Sequence, residues 1–249
     1  IGSGKTTLLR NIIGFHLHLP HRTLISFNHR VEFLIETLKK INLSTITYIN
    51  IGGGFLGHIS PVLMQELGIE NAPSYQDYAA LIGQKLFDYF KSTGRESVPT
   101  LYLEPGSSVI ADCVTFVSKI YTIKSFLDRH ILVSYAGRHL LSPTNKIVKL
   151  PCEIINVQAP SHVNTRGSLN YEIAGYTCIE SDILGVAEGD LNLEPNNAFI
   201  EFTNVGSYSV VMGSNFILPE PPIFTLDASN NIKLIRKNRT ARDVLNQFS

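Results

Sequence analysis

The sequence of 249 residues has no tryptophan, only two methionines and three cysteines, and its charges cancel, with 21 Lys and Arg against 21 Asp and Glu. Each shortage excludes something. Cys113, Cys152 and Cys178 are odd in number, widely spaced and free of any CxxC pair, so they suit a reducing compartment better than a disulfide scaffold. A cytoplasmic location is the expectation. A net charge of zero leaves no excess field to draw nucleic acid or an acidic membrane surface. No apolar run reaches the roughly 18 residues of a membrane span, and no basic-then-apolar leader is present. What remains is a globular chain, 44% apolar and 17% charged, long enough for one large domain or two smaller ones. It begins at Ile1 rather than Met, inside what looks like a motif, which leads us to expect a truncated or spliced product.

Two textures divide the chain. The first half alternates helix and strand signals: an apolar run from Gly14 to His18, a helical pattern from Leu24 to Ile41, a β-branched run from Thr45 to Ile51, an amphipathic stretch from Tyr75 to Lys91, and a short buried strand from Thr100 to Glu104. That rhythm predicts three parallel strands joined by helices. Beyond Pro105-Gly106 the pattern becomes strands without helices: 114–124, 131–135, 152–157, 171–178, 198–203 and 232–236. We therefore expect an α/β part over 1–107 and a separate β-domain over 108–249. Residues 240–248 can form one short helix capped by Thr240.

Several residues carry chemistry. Gly52, Gly53 and Gly54 close a strand with bare backbone, either as a flexible turn or as a loop that wraps a phosphate. Glu104 closes the next strand as Glu104-Pro105-Gly106, either as a surface acid or as a carboxylate that meets a protonated ring nitrogen. His16 and His18 alternate along one strand, with His21 just beyond Pro20; metal binding, structural histidines and a ring stacked on a cofactor are the three readings. Cys178, Glu180 and Asp182 group a thiol with two carboxylates, suited to proton delivery and amine recognition. Cys178 by itself reads better as a buried small apolar residue. Gly206-Ser-Tyr208 adds a glycine turn and a phenol able to reach a phosphate oxygen.

In this order, Gly14-Phe-His-Leu-His18, Ile49-Asn-Ile-Gly-Gly-Gly-Phe55, Leu103-Glu-Pro-Gly106, Gly175-x-x-Cys178-x-x-x-Asp182 and Gly206-Ser-Tyr208 resemble the fold-type III pyridoxal-phosphate decarboxylases, the ornithine, diaminopimelate and arginine decarboxylase family. The resemblance implies the C-terminal part of an alanine-racemase-like (β/α)8 barrel followed by a β-sandwich-like or β-barrel domain. It implies pyridoxal 5′-phosphate as cofactor, with His18 stacked on the ring, Gly52, Gly53, Gly54, Gly106 and Tyr208 at the phosphate, and Glu104 at the ring nitrogen. Cys178 would donate a proton, and Asp182 and Glu180 would meet the amino-acid substrate. A homodimer with shared active sites also follows from it. The family's Schiff-base lysine lies upstream of the segment matching His18, so the chain by itself is expected to be inactive and poorly folded as a barrel. Where the family has a serine, an arginine and an acid, this sequence has His21, Ser107 and Ile179. These changes leave the substrate open and suggest an alternative, a non-catalytic decarboxylase-like binding or regulatory subunit.

A rival sits at the start. Gly2-Ser-Gly-Lys5-Thr6-Thr7 fits the second half of a nucleotide phosphate loop, yet no strand ending in a magnesium-binding Asp and no Leu-Ser-Gly-Gly-Gln follows. The plainer reading is a helix start, with Ser3 or Thr6 leading into Leu8 to Ile13.

Overall fold

The computed structural model describes residues 12–141, 143, 149–156, 170–188 and 197–248. The Gly2–Thr7 segment, the first residues of its helix alternative and Val157 lie outside the described residues. The chain divides between Ala111 and Asp112 into two compact units.

In the first unit, strands β1 (Gly14–His16), β2 (Tyr48–Asn50) and β3 (Thr100–Tyr102) form a parallel sheet in that order, with Phe15 beside Ile49 and Ile49 beside Leu101. Parallel neighbours need long crossovers, and helices supply them. Helix α1 (Leu24–Leu38) starts where the Thr23 side chain accepts the Ser26 N–H at 3.2 Å. It buries Phe27, Val31, Leu34 and Leu38, one stripe at helical spacing. Helix α2 (Pro61–Glu66), absent from the sequence expectations, is capped by Ser60 and has proline in its first turn. Helix α3 (Tyr75–Ser92) opens on a Ser74–Asp77 capping box and buries Tyr78, Ile82, Leu86 and Phe90. These two stripes pack with Ile46, Ile49, Ile51 and Phe55 into one core. At about 1.5–3 kcal/mol per fully buried large side chain, that shared core is the main force holding the unit together.

The expected strands prove shorter, and β3, expected to be buried, is exposed along its length. The 14–18 strand ends at His16 and the 45–51 strand begins at Tyr48, because Leu43–Thr45 is a 3-10 turn capped by Asn42.

The second unit is built on a six-stranded sheet: β4 (Phe116–Phe126), β5 (Arg129–Ser134), β6 (Cys152–Asn156), β7 (Asn170–Ala174), β8 (Ile183–Glu188) and β9 (Ala198–Phe202), ordered β6-β9-β4-β5-β7-β8. Only β5 and β7 run parallel. The two ends of the sheet approach one another, since Leu150 N–H donates to Leu184 O at 3.0 Å, making it nearly closed. Ile120, Leu132, Ile173, Leu184, Ile200 and Phe202 fill its inside. A hairpin of β10 (Ile223–Leu226) and β11 (Ile232–Arg236) follows.

The expectation of strands without helices is corrected here. Gly206–Met212 (α5) is helical on both sides of a kink, and Ala241–Leu245 (α6) forms the short helix capped by Thr240. The sequence reading also overlooked β8 and β10, and the expected 171–178 strand stops at Ala174 because Gly175 opens a turn.

Candidate active site

Parallel strands bring their carboxyl ends to one edge, and there the first unit gathers the residues singled out in its sequence. His16 ends β1, Asn50 ends β2, and Glu104 follows β3. Asn50 ties them together. Its side-chain amide donates to Glu104 Oε1 at 2.7 Å, and its Oδ1 accepts the Gly52 N–H at 2.8 Å. His16 Nε2 lies 3.3 Å from the same Oε1, with both side chains half exposed. Glu104 N–H donates to Gly52 O at 3.0 Å, which clamps the acid's backbone onto the glycine loop. His18 Nδ1 accepts the Gly53 N–H at 2.9 Å, so in the neutral ring the proton sits on Nε2. His18, Gly52, Gly53 and Glu104 thus share one edge.

The loop between them admits only glycine. Gly52 and Gly54 have φ of +73° and +86°. A Cβ on Gly52 would lie 2.8 Å from both His18 Cβ and Leu17 O, and one on Gly53 would run into the Glu104 carbonyl. The expectation of three bare glycine amides is corrected: the Gly52 and Gly53 N–H groups already serve Asn50 and His18. The N–H groups of Gly54 and Phe55 have no partner among the described residues. Two backbone donors left without a partner among the described residues, an imidazole and a carboxylate make a donor set that fits a phosphate-bearing pyridine. Gly106 turns the next segment at φ +54°, ahead of the short helical turn Ser107–Ile110. Beside these groups, an apolar hollow of about 360 Å³ lined by Phe55, Tyr75, Tyr78, Ile82, Leu101 and Leu103 offers no charge to an anion.

In the second unit, the turn after β7 is organised by Asp182, 4% exposed. Its Oδ1 accepts the Arg138 N–H at 2.7 Å, and its Oδ2 accepts the Thr177 N–H at 3.3 Å and the Thr177 hydroxyl at 2.5 Å. A Cβ on Gly175 would run into this carboxylate. Asp182 therefore holds the turn, while Cys178 and Glu180 on the same turn are exposed. Exposure overturns the reading of Cys178 as a buried small apolar residue. Cys152 is the shielded thiol, and burial pushes it up to about 11. Tyr176, beside the cysteine, donates to Phe216 O at 3.0 Å and accepts from His139 Nε2 at 3.0 Å, the assignment that one hydroxyl proton allows. Burial lowers the His139 pKa, with Asp182 pulling it back less strongly. Tyr208 sits at φ +65°, a costly conformation for an aromatic residue, and its side chain is exposed.

No family model matches the chain. Among curated proteins it is similar to the diaminopimelate decarboxylase of Methanocaldococcus jannaschii, 23% identical over 246 residues that cover 94% of this chain and 51% of that protein. It is also similar to that of Bacteroides thetaiotaomicron, 26% identical over 84% of this chain and 50% of the relative. A solved diaminopimelate decarboxylase superposes with a TM-score of 0.76 at 18% identity, over 95% of this chain and 55% of that one. The chain shares the fold of about half the length of these diaminopimelate decarboxylase structures. The M. jannaschii enzyme in co-complex with L-lysine gives a TM-score of 0.72 at 22% identity, covering 95% of this chain and 52% of that one. Carboxynorspermidine decarboxylase from Campylobacter jejuni, complexed with norspermidine, gives 0.66 at 19% identity, covering 92% and 59%. The chain spans about half the length of the curated diaminopimelate decarboxylases it matches.

Sequence reasoning missed two residues that organise the strand edge of the first unit. Asn50 lay inside a motif but carried no role, although an amide two residues before the glycines is well placed to orient a neighbouring acid. Arg30 is the larger omission. It is fully buried on the apolar stripe of α1, three residues after Phe27 and four before Leu34, and a cation at such a position is itself a signal. Among the described residues no group of His, Cys, Asp and Glu is gathered so as to hold a metal ion, and no helix is long and apolar enough to cross a membrane.

Proposed function

We propose that the chain carries the ring-binding edge and the thiol-bearing turn of a pyridoxal-5′-phosphate-dependent amino-acid decarboxylase. The observation that carries this reading is the meeting of Glu104, His18 and the Gly52–Gly54 loop at one strand edge, tied by Asn50. When bound, pyridoxal phosphate supplies an electron sink for the pair left on Cα as carbon dioxide departs. Glu104, oriented by Asn50, keeps a proton on the ring nitrogen. His18, held by Gly53, presents a flat face to the ring, and the glycine loop offers backbone donors to the phosphate, with Gly106 and Tyr208 as further contacts. Cys178 is the proton donor at Cα, and Glu180 is the exposed acid that meets the substrate's amine. Asp182 serves this chemistry by holding the turn. We further propose a cytoplasmic homodimer in which the Cys178 turn of one protomer serves the site of its partner.

Carbon dioxide release from meso-diaminopimelate, ornithine and arginine, measured with the complete polypeptide that carries residues 1–249 and added cofactor, tests the reading. Glu104→Gln should cut turnover about 100-fold while thermal melting stays unchanged, because the side chain is half exposed and the fold rests elsewhere. Near-normal turnover removes Glu104 from the mechanism. A second reading, the non-catalytic binding subunit, draws on Ile179, an exposed apolar residue where the resemblance calls for an acid. Cofactor-induced stabilisation without carbon dioxide release from any amino acid would favour it.

A further inference from the structure

The proposed chemistry leaves one buried charge unused. Arg30 is 0% exposed, and its guanidinium carbon lies 4.0 Å above the Phe27 ring. Nη1 donates to Gly53 O at 2.9 Å, and Nη2 donates to Leu19 O at 2.6 Å and to His21 O. Nε is buried and has no hydrogen-bond partner among the described residues. No carboxylate pairs with this cation among the described residues. Carbonyl dipoles solvate a guanidinium but leave its unit charge in place, and a buried charge without a counter-charge is costly. An anion close by relieves that cost.

The peptide geometry says on which side the anion belongs. In a trans peptide the C=O of one residue and the N–H of the next point in opposite directions. Arg30 holds the Gly53 carbonyl on its own side, so the Gly54 N–H faces away from it, and that N–H has no partner among the described residues. The same guanidinium pins Leu19 and His21, the residues that lead out of the His18 segment. One side chain therefore sets both the imidazole segment and the loop. The neighbouring segment, Glu104-Pro105-Gly106-Ser107, brings no cation of its own.

We propose that Arg30 is the positioning residue of the phosphate cradle: it aims the Gly54 amide at the phosphate and places an otherwise uncompensated positive charge behind the loop. The inference rests on the cofactor reading above and adds to it the group that makes the loop selective for a phosphorylated ligand.

Equilibrium binding of pyridoxal phosphate and of pyridoxal, which has the same ring without the phosphate, tests it in the complete polypeptide. Arg30→Met should weaken pyridoxal phosphate about tenfold or more and pyridoxal by much less, because the aimed Gly54 amide and the charge behind it act on the phosphate, whereas pyridoxal feels only the loosened His18 segment. Arg30→Lys keeps the charge but loses the fork, and should weaken pyridoxal phosphate about threefold. Should Arg30→Met fail to fold, Arg30→Lys decides by the same ratio. An unchanged preference for pyridoxal phosphate over pyridoxal in the folded variants overturns the inference alone. Wild-type protein that binds neither compound overturns the cofactor reading, and the inference falls with it.

Discussion

The two loops proposed to serve the site are each organised by one buried ion, and they differ in whether that ion is complete. In the second unit Asp182 is surrounded by N–H and O–H donors and has a cationic neighbour, Arg138, so the Cys178 turn is finished by its own chain. In the first unit Arg30 is surrounded by carbonyl oxygens with no counter-ion among the described residues, so the glycine loop is shaped yet still short of negative charge there. A loop that presents its own thiol needs rigidity. A loop that receives an anion is better left unbalanced until the anion arrives, since the gain on binding then includes relief of the buried charge.

The change with the largest effect breaks the first loop and spares the second. Gly53→Ala drives a Cβ into the Glu104 carbonyl, and backbone on both sides leaves little room to yield. The expected cost is about 2–4 kcal/mol of stability in the first unit, with cofactor binding weakened by more than about 100-fold. Denaturant titration and cofactor titration measure these, while the alkylation rate of Cys178 should not change. Gly83→Ala, in open space inside α3, is the control and should stabilise by about 0.5–1 kcal/mol. The converse change, Asp182→Asn, places an NH2 where a carboxylate oxygen accepts N–H or O–H donors. It should cost about 1.5–3 kcal/mol and alter the alkylation of Cys178 without weakening pyridoxal phosphate. If Asp182→Asn leaves both stability and thiol reactivity intact, the contrast between the loops is wrong.

How far the sequence foretold this depends on the range of the interaction. The amphipathic stretch from Tyr75 to Lys91, whose stripe is Tyr78, Ile82, Leu86 and Phe90, and the Thr240 cap are local and were read correctly, whereas the Ser74 cap was not singled out. Short parallel strands depend on both neighbours, so β1 came out shorter than its apolar run. β8 escaped notice because Gly185 dilutes a strand signal that only pairing with β7 completes. At the site, types and order were legible in His18, Gly52–Gly54 and Glu104. Which glycine amides are spent was not, because that depends on Asn50 and His18 folding back across the edge. Arg30 was missed for the same reason: its partners lie 9, 11 and 23 residues away in sequence.

The smallest expected effect compares the units by their alkaline limits. Burial pushes the Cys152 thiol up to about 11 from an ordinary value of 9.0. Its folded form holds the proton more tightly than the unfolded chain does, so this contribution is whole below about pH 9 and is lost as pH climbs through about 11. In the first unit burial raises the Tyr78 and Tyr89 hydroxyls from 10.0, and the hydrogen bond to Glu36 raises Lys39 from 10.5, so its loss begins about one pH unit later. The second unit should therefore weaken first, by on the order of 1 kcal/mol between pH 9 and 10.5. Hydrogen exchange followed by mass spectrometry resolves the two units separately. Cys152→Ala should remove most of the early loss and leave the later part contributed by Tyr176, whose hydroxyl is also raised by burial. If the alanine variant keeps the same slope above pH 9, burial of the Cys152 thiol is not what sets the second unit's alkaline limit, and the two units owe their difference to something other than β6.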